Sequence, residues 1–210
     1  MKATGQFNCS DCNVYNCSHQ GKEFPKGCPS DRADLERIKD LYQKDPFVSK
    51  IAHAAAEVEG LYYCKYTRVE EIIAFARLIG TKKIGVASCN GLINESKAFV
   101  KILDAHGLES YCVNCKVGSI DKTEIGIPED LKLKKNCFEG MCNPVLQAEI
   151  LNTHETGLNV IVGLCVGHDS LFMKYSNAPV TTLIVKDRVL GHNPAAALYT
   201  SNTYYKKLLM

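Results

Sequence analysis

No stretch of the 210 residues approaches the roughly 18 uninterrupted apolar positions that a membrane-spanning helix needs. The N-terminal run MKATGQFNCSDC also lacks the apolar core of a secretory signal, so the chain is expected to remain cytoplasmic, with no membrane partner. Charge of one sign is scarce: the net charge is +2 and no block of like charges appears, which leaves no electrostatic footprint for nucleic acid. The short cluster KLKK at 132–135 reads as a solvated face. Gly163 and Gly167 do not build a dinucleotide fingerprint, and no Walker-type phosphate loop is present. What remains is a chain with 46% apolar residues, enough for one good core with at most a small appendage.

Cysteine is abundant by contrast, with 11 in the chain. A reducing cytosol disfavours structural disulfides and an odd count fits complete pairing poorly, so metal ligation or redox chemistry is the economical reading. A disulfide framework returns only if the protein is secreted.

The first cysteines fall in CSDCNVYNCSHQGKEFPKGC, where Cys9, Cys12, Cys17 and Cys28 form a C-x2-C-x4-C-x10-C array without regular apolar periodicity. Ligands rather than a core would order such a segment. The close pair turns two thiolates toward one metal, and two more complete a closed shell. Tetrahedral sulfur coordination suits zinc and iron–sulfur clusters alike, so a zinc knuckle that merely folds the segment stays open. His19 reads as a surface residue.

Helical spacing follows through Leu35, Ile38 and Leu41, predicting a helix from Asp31 to about Tyr42 capped by Ser30 or Asp31. A second is expected from Phe47 to about Glu59, ended by Gly60, and a third from about Val69 to Leu78, ended by Gly80. These helices read as scaffold, with His53 packed in the core and Cys64 buried and inert.

From Lys82 onward the pattern alternates. KKIGVASC is a short apolar strand ending at Cys89, and a helix follows from Ile93 to about His106. ESYCVNC is a strand ending at Cys115, and NPVLQAEILNTHE is a helix capped by Asn143 with Pro144 at its first position. NVIVGLC ends at Cys165, and VTTLIVKD ends near Lys186 and Asp187. Strand and helix in alternation predict an α/β fold, a mostly parallel sheet flanked by helices. The expected organisation is a cysteine-rich metal-binding segment at 1–30, a helical segment at 31–80 and an α/β domain with a second cysteine site at 81–210.

Cys89, Cys115 and Cys165 each close a predicted strand, and Cys142 precedes a helix entrance at the same edge. Open α/β sheets bind ligands at this carboxyl edge. Neighbouring strands lie about 4.8 Å apart, so thiols at their ends can surround one cluster. The helix opening at Asn143 adds positive dipole and free amides for an anionic cluster. Packing alone also explains a cysteine at a strand end. Cys112 should face away from Cys115 by side-chain alternation, which leaves Cys112 and Cys137 as reserve ligands. His168, Asp169 and Lys186 bring proton-transfer and anion-holding groups to this edge and are the candidate catalytic residues. His192 and Asn193, in GHNP, fit turn chemistry.

CNPVLQAEILN, GLCVGHDSLF, APVTTLIVKDRVLGHNPAAALY and the N-terminal cysteine array together resemble a prokaryotic family, domain of unknown function 1847, described as metal-binding. The resemblance covers most of the chain and is most specific from Cys142 to Tyr199. It implies metal binding, with Cys9, Cys12, Cys17, Cys28, Cys115, Cys142 and Cys165 as the matching cysteines, and it implies no particular reaction.

Two function classes follow. One is an iron–sulfur protein with one or two 4Fe-4S clusters and a redox or cluster-dependent catalytic role at the sheet edge, served by an electron-transfer partner or a small-molecule substrate. The other is a non-enzymatic zinc-binding structural or metal-carrier protein.

Overall fold

The structure is a computed structural model that describes residues 8–210. The chain divides into two compact units, one ending at Glu57 and the other beginning at Val58.

The first unit opens with short 3-10 turns at Cys9–Asp11, Asn16–Ser18 and Pro29–Arg32. Helix α1 then spans Leu35–Lys44, and α2 spans Pro46–Tyr62, so that its last turns belong to the second unit. The start of α1 differs from the expected Ser30 or Asp31, because Asp34 accepts a hydrogen bond from Arg37 N at 3.0 Å and caps the helix itself. Helix α2 runs through Gly60 instead of ending there. One internal glycine costs a helix only about 1 kcal/mol, and Pro46 at the first position presets its entry. His53 and Cys64 are exposed, against the expectation that both are buried, and Cys64 takes the left-handed turn after α2 at φ 55°.

The second unit is α/β. Helix α3 (Arg68–Leu78) begins with a capping box in which Thr67 and Glu70 satisfy each other's backbone donors. Strand β1 (Lys83–Ser88), helix α4 (Ile93–Ala105), strand β2 (Glu109–Asn114), helix α5 (Pro144–Thr153), strand β3 (Leu158–Val162), helix α6 (His168–Tyr175) and strand β4 (Val180–Ile184) follow in alternation. A short α7 (Ala195–Tyr199) and a 3-10 turn at Lys206–Leu209 close the chain. The strands form one wholly parallel sheet in the order β2-β1-β3-β4. Continuous apolar runs in β1 and β3 suit strands buried on both faces, and Ile84, Val86, Val160 and Val162 are fully enclosed.

The order places the topological switch between β1 and β3: the chain leaves β1 for β2 on one side, then returns past β1 to β3 and β4. Right-handed crossovers then put α4 on one face and α5 with α6 on the other, and α5 packs directly on α6. Gly85 and Asn159 are register partners, and a Cβ at Gly85 would lie 2.0 Å from Asn159 Oδ1. The freed space lets Asn159 accept from Thr156 Oγ1 at 2.7 Å and donate to Ser176 Oγ at 2.8 Å, tying β3 to the end of α6.

Between β2 and α5 a long connection is pinned by charge. Lys132, expected on a solvated face, is only 7% exposed and bridges Asp121 at 2.8 Å and Glu129 at 2.9 Å. Among the described residues no helix is long and apolar enough to cross a membrane.

Candidate metal centre

The ladder itself delivers the first two thiols. Beyond β1, Cys89 N donates to Val162 O at 3.0 Å, and beyond β2, Cys115 N donates to Ser88 O at 2.8 Å. Both residues are therefore fixed like strand residues, at the switch between β1 and β3 and on the neighbouring strand. Asn143, whose side chain caps α5 by accepting from Leu146 N at 3.1 Å, donates its own N–H to Cys115 O at 2.7 Å, which carries Cys142 beside Cys115. Gln147, one turn further along α5, donates to Ser88 O at 3.2 Å and Val113 O at 2.7 Å and docks the helix on the strand ends. Cys165 follows β3 after Gly163, which turns at φ 68°; a Cβ there would lie 2.0 Å from Leu92 Cδ1.

Three of these thiols stand close enough to act on one another: Cys115, 2% exposed, interacts with both Cys142 and Cys89. The contact with the Cys142 sulfur, then that with Cys89, pushes the Cys115 thiol far up, so it keeps its proton. The same contacts hold Cys89 and Cys142 well below the usual thiol range; Cys89 is helped further by the Gly91 backbone and Lys186, and Cys142 by Lys116 and His168. Asn90 N donates to Cys115 Sγ at 3.2 Å. Cys165 Sγ instead accepts from Arg188 Nη2 at 3.0 Å, and the same guanidinium is within electrostatic reach of Cys89 and Cys142. The edge is thus a row of thiols that push one member's affinity for its proton up and two members' down, under a cationic rim, an environment that suits thiols that bind a metal or react.

Of the other expected residues, Lys186 stands beside Cys89: both its Nζ, at 3.8 Å, and the Cys89 sulfur, at 4.0 Å, flank the empty Cβ position of Gly91. His168 is the first residue of α6, close enough to Cys142 to act on it electrostatically, and its N–H donates to Cys165 O at 3.0 Å. The Asp169 carboxylate accepts from Ser170 N at 2.8 Å. Asp187 accepts from Val189 and Leu190 N–H groups while His192 Nδ1 accepts from Asp187 N at 3.1 Å, so this segment is turn chemistry. Cys112 and Cys137 are exposed, and Cys137 Sγ donates to Lys134 O at 3.6 Å. Arg188, Lys116 and Asn90 were not among the expected site residues. Arg188 sat inside a stretch that reads as a turn, and only its position just past a strand end pointed to the edge.

In the first unit, Cys9, Cys12, Cys17 and Cys28 are exposed or half-exposed. Cys12 Sγ accepts from Tyr15 N at 3.4 Å while Cys12 N donates to Cys9 O at 3.3 Å. Such an amide donor onto a thiol sulfur softens thiolate charge. Among the described residues no three Cys, His, Asp or Glu side chains already stand as a ligand set, so the sheet-edge thiols neighbour one another without coordination geometry.

Residues 28–183 match the family model described as protein of unknown function, DUF1847. Over 203 residues the chain is 51% identical to "Uncharacterized protein MJ0455" of Methanocaldococcus jannaschii, covering 97% of this chain and 98% of the relative. The family match takes in Cys28 and all four sheet-edge cysteines, and the similarity to the archaeal relative extends over nearly the whole chain. The α/β chain with its thiol-lined edge therefore belongs to the domain of unknown function 1847 family.

Proposed function

We propose that the protein is an iron–sulfur protein whose sheet-edge thiols hold a 4Fe-4S cluster in a redox or cluster-dependent catalytic role. The observation that carries this reading is Cys115, buried and close enough to Cys89 and Cys142 to shift both, three thiols brought together from three separate segments. The donor set fits: thiolates are the ligands such clusters take, and backbone amide and cationic groups beside the sulfurs tune them. Cys89, Cys115 and Cys142 would hold the cluster, with Cys165 as the fourth thiol when Arg188 releases it. The cluster, when bound, supplies one-electron chemistry or an iron position open to substrate. Around it, Lys186 and Arg188 hold negative charge and His168 stands where a proton can be exchanged near Cys142.

The N-terminal array is a second proposed metal site, held by Cys9, Cys12, Cys17 and Cys28. Its exposed thiols and short turns suit zinc as well as iron.

Iron, acid-labile sulfide and zinc are measured on protein purified without oxygen, with the visible spectrum. About four iron and four sulfide per chain indicate one cubane cluster, and about eight of each indicate two. Zinc without sulfide moves the protein to the structural or metal-carrier class.

A further inference from the structure

In the second unit a cleft of about 230 Å³, lined by none of the cysteines, opens between the turn after α2, one face of α3 and the end of α4. Its wall is aromatic. The turn folds Tyr66 back over Tyr62: the Lys65 and Tyr66 N–H groups donate to Tyr62 O at 2.8 and 3.1 Å, and the two rings stack with centroids 3.9 Å apart. Tyr66 is still 39% exposed, which leaves aromatic surface for a ligand. Glu70, Ile73, Ala74, Arg77 and Leu78 recur at helical spacing and share the face of α3 that forms the floor.

That face carries one acid and one base that are not paired with each other or with any other charge among the described residues. Glu70 accepts from Thr67 N and Thr67 Oγ1, both at 2.7 Å and both through Oε2, so Oε1 stays open. Arg77 Nη2 donates to His106 O at 3.0 Å and lies 3.4 Å from His106 Nδ1, while Arg77 Nε and Nη1 have no partner among the described residues. Glu70 is also within electrostatic reach of His106, so the two charges face the cleft from either side of that ring. An anion in this cleft would meet Glu70 and a cation would meet Arg77, whereas a zwitterion satisfies both.

We infer that the cleft binds a free α-amino acid with a large apolar or aromatic side chain. Its carboxylate sits on Arg77, its ammonium on Glu70, and its side chain against Tyr66, Ile73 and Leu78. The cleft is smaller than the roughly 300–1,000 Å³ of drug-sized pockets, which suits a ligand of this size. This site is independent of the metal reading.

Amide chemical-shift titration of the full-length protein tests the inference with three probes: L-phenylalanine, 3-phenylpropionate, which lacks the ammonium, and phenethylamine, which lacks the carboxylate. The expected result is that phenylalanine binds at least about tenfold tighter than either analogue and shifts the amides of Tyr66, Ile73 and Leu78. Glu70→Gln removes the charge and keeps the capping box, in which glutamine also serves. It is expected to weaken phenylalanine binding by about tenfold and to bind 3-phenylpropionate no worse than wild type. Arg77→Gln is expected to weaken phenylalanine binding equally and to leave phenethylamine unaffected, with circular dichroism checking the fold because Arg77 also holds the end of α4. Phenylalanine that binds no tighter than either analogue, shifts that fall outside the cleft, or Glu70→Gln that binds phenylalanine like wild type overturns the inference.

Discussion

Cys115 is the residue on which the sheet-edge site turns, because it is buried beside both Cys89 and Cys142, pushing their thiols down while its own is pushed up. Its position was legible in the sequence as the cysteine that closes a strand, ESYCVNC, although β2 is an edge strand whose residues are mostly exposed or half-exposed. The same rule found Cys89 and Cys165. It did not find Arg188 or Lys116, because a basic residue in a turn carries no periodicity and its partner is distant in the chain. Lys132 escaped for the same reason, since the carboxylate of Asp121 that buries it belongs to another turn. Gly163 carries a test at this scale. With φ at 68° and Leu92 filling the space where a Cβ would stand, Gly163→Ala is expected to destabilise the fold by about 1–3 kcal/mol in denaturant titration. An unchanged midpoint means that the turn leading to Cys165 is looser than described.

At the scale of elements, the strands and α5 could be read because their signals are local: short, mostly apolar runs for β1 and β3, and an Asn-Pro start for α5. Helix α6 could not. GHDSLF begins with a glycine and polar residues that read as a turn, and the helix shows itself only in the tertiary packing, where it lies on α5 and buries Phe172 fully. The cap of α5 also positions Cys142, so Asn143→Ala is expected to cost about 1 kcal/mol of stability, measured by chemical unfolding. A larger loss of metal than of stability in that variant indicates that the cap serves the site more than the helix.

The connection before α5 makes a separate prediction with pH. The Lys122 ammonium, then the Lys134 backbone N–H, hold Glu139 at about 2, and Lys132 holds Asp121 lower still. Carboxyls depressed in the folded state stabilise it above their unfolded values near about 4, and that contribution fades as pH falls through this value toward about 2. Unfolding midpoints should therefore drop across this window, and less steeply in Glu139→Gln. Parallel slopes for the two proteins mean that the ion pair does not persist in solution.

For the whole molecule, the order β2-β1-β3-β4 gathers at one switch point what the sequence scatters over Cys89 to Arg188. Alternation of strand and helix made the α/β class legible, but strand order is not encoded locally, so convergence of the thiols was an inference from the carboxyl-edge rule. The N-terminal array lies in the other compact unit. Replacing Cys9 and Cys12 together is expected to remove metal from that array alone and to leave the circular-dichroism signal of the α/β unit intact; loss of the whole signal contradicts that independence.

That double replacement also supplies the background for the most direct measurement, in which iron and acid-labile sulfide are counted after anaerobic purification with either Cys115→Ser or Cys112→Ser added. The predicted result is about four iron and four sulfide per chain in the background and in the Cys112 variant, and neither in the Cys115 variant. Iron and sulfide retained without Cys115, or lost without Cys112, would contradict a cluster held at the sheet edge.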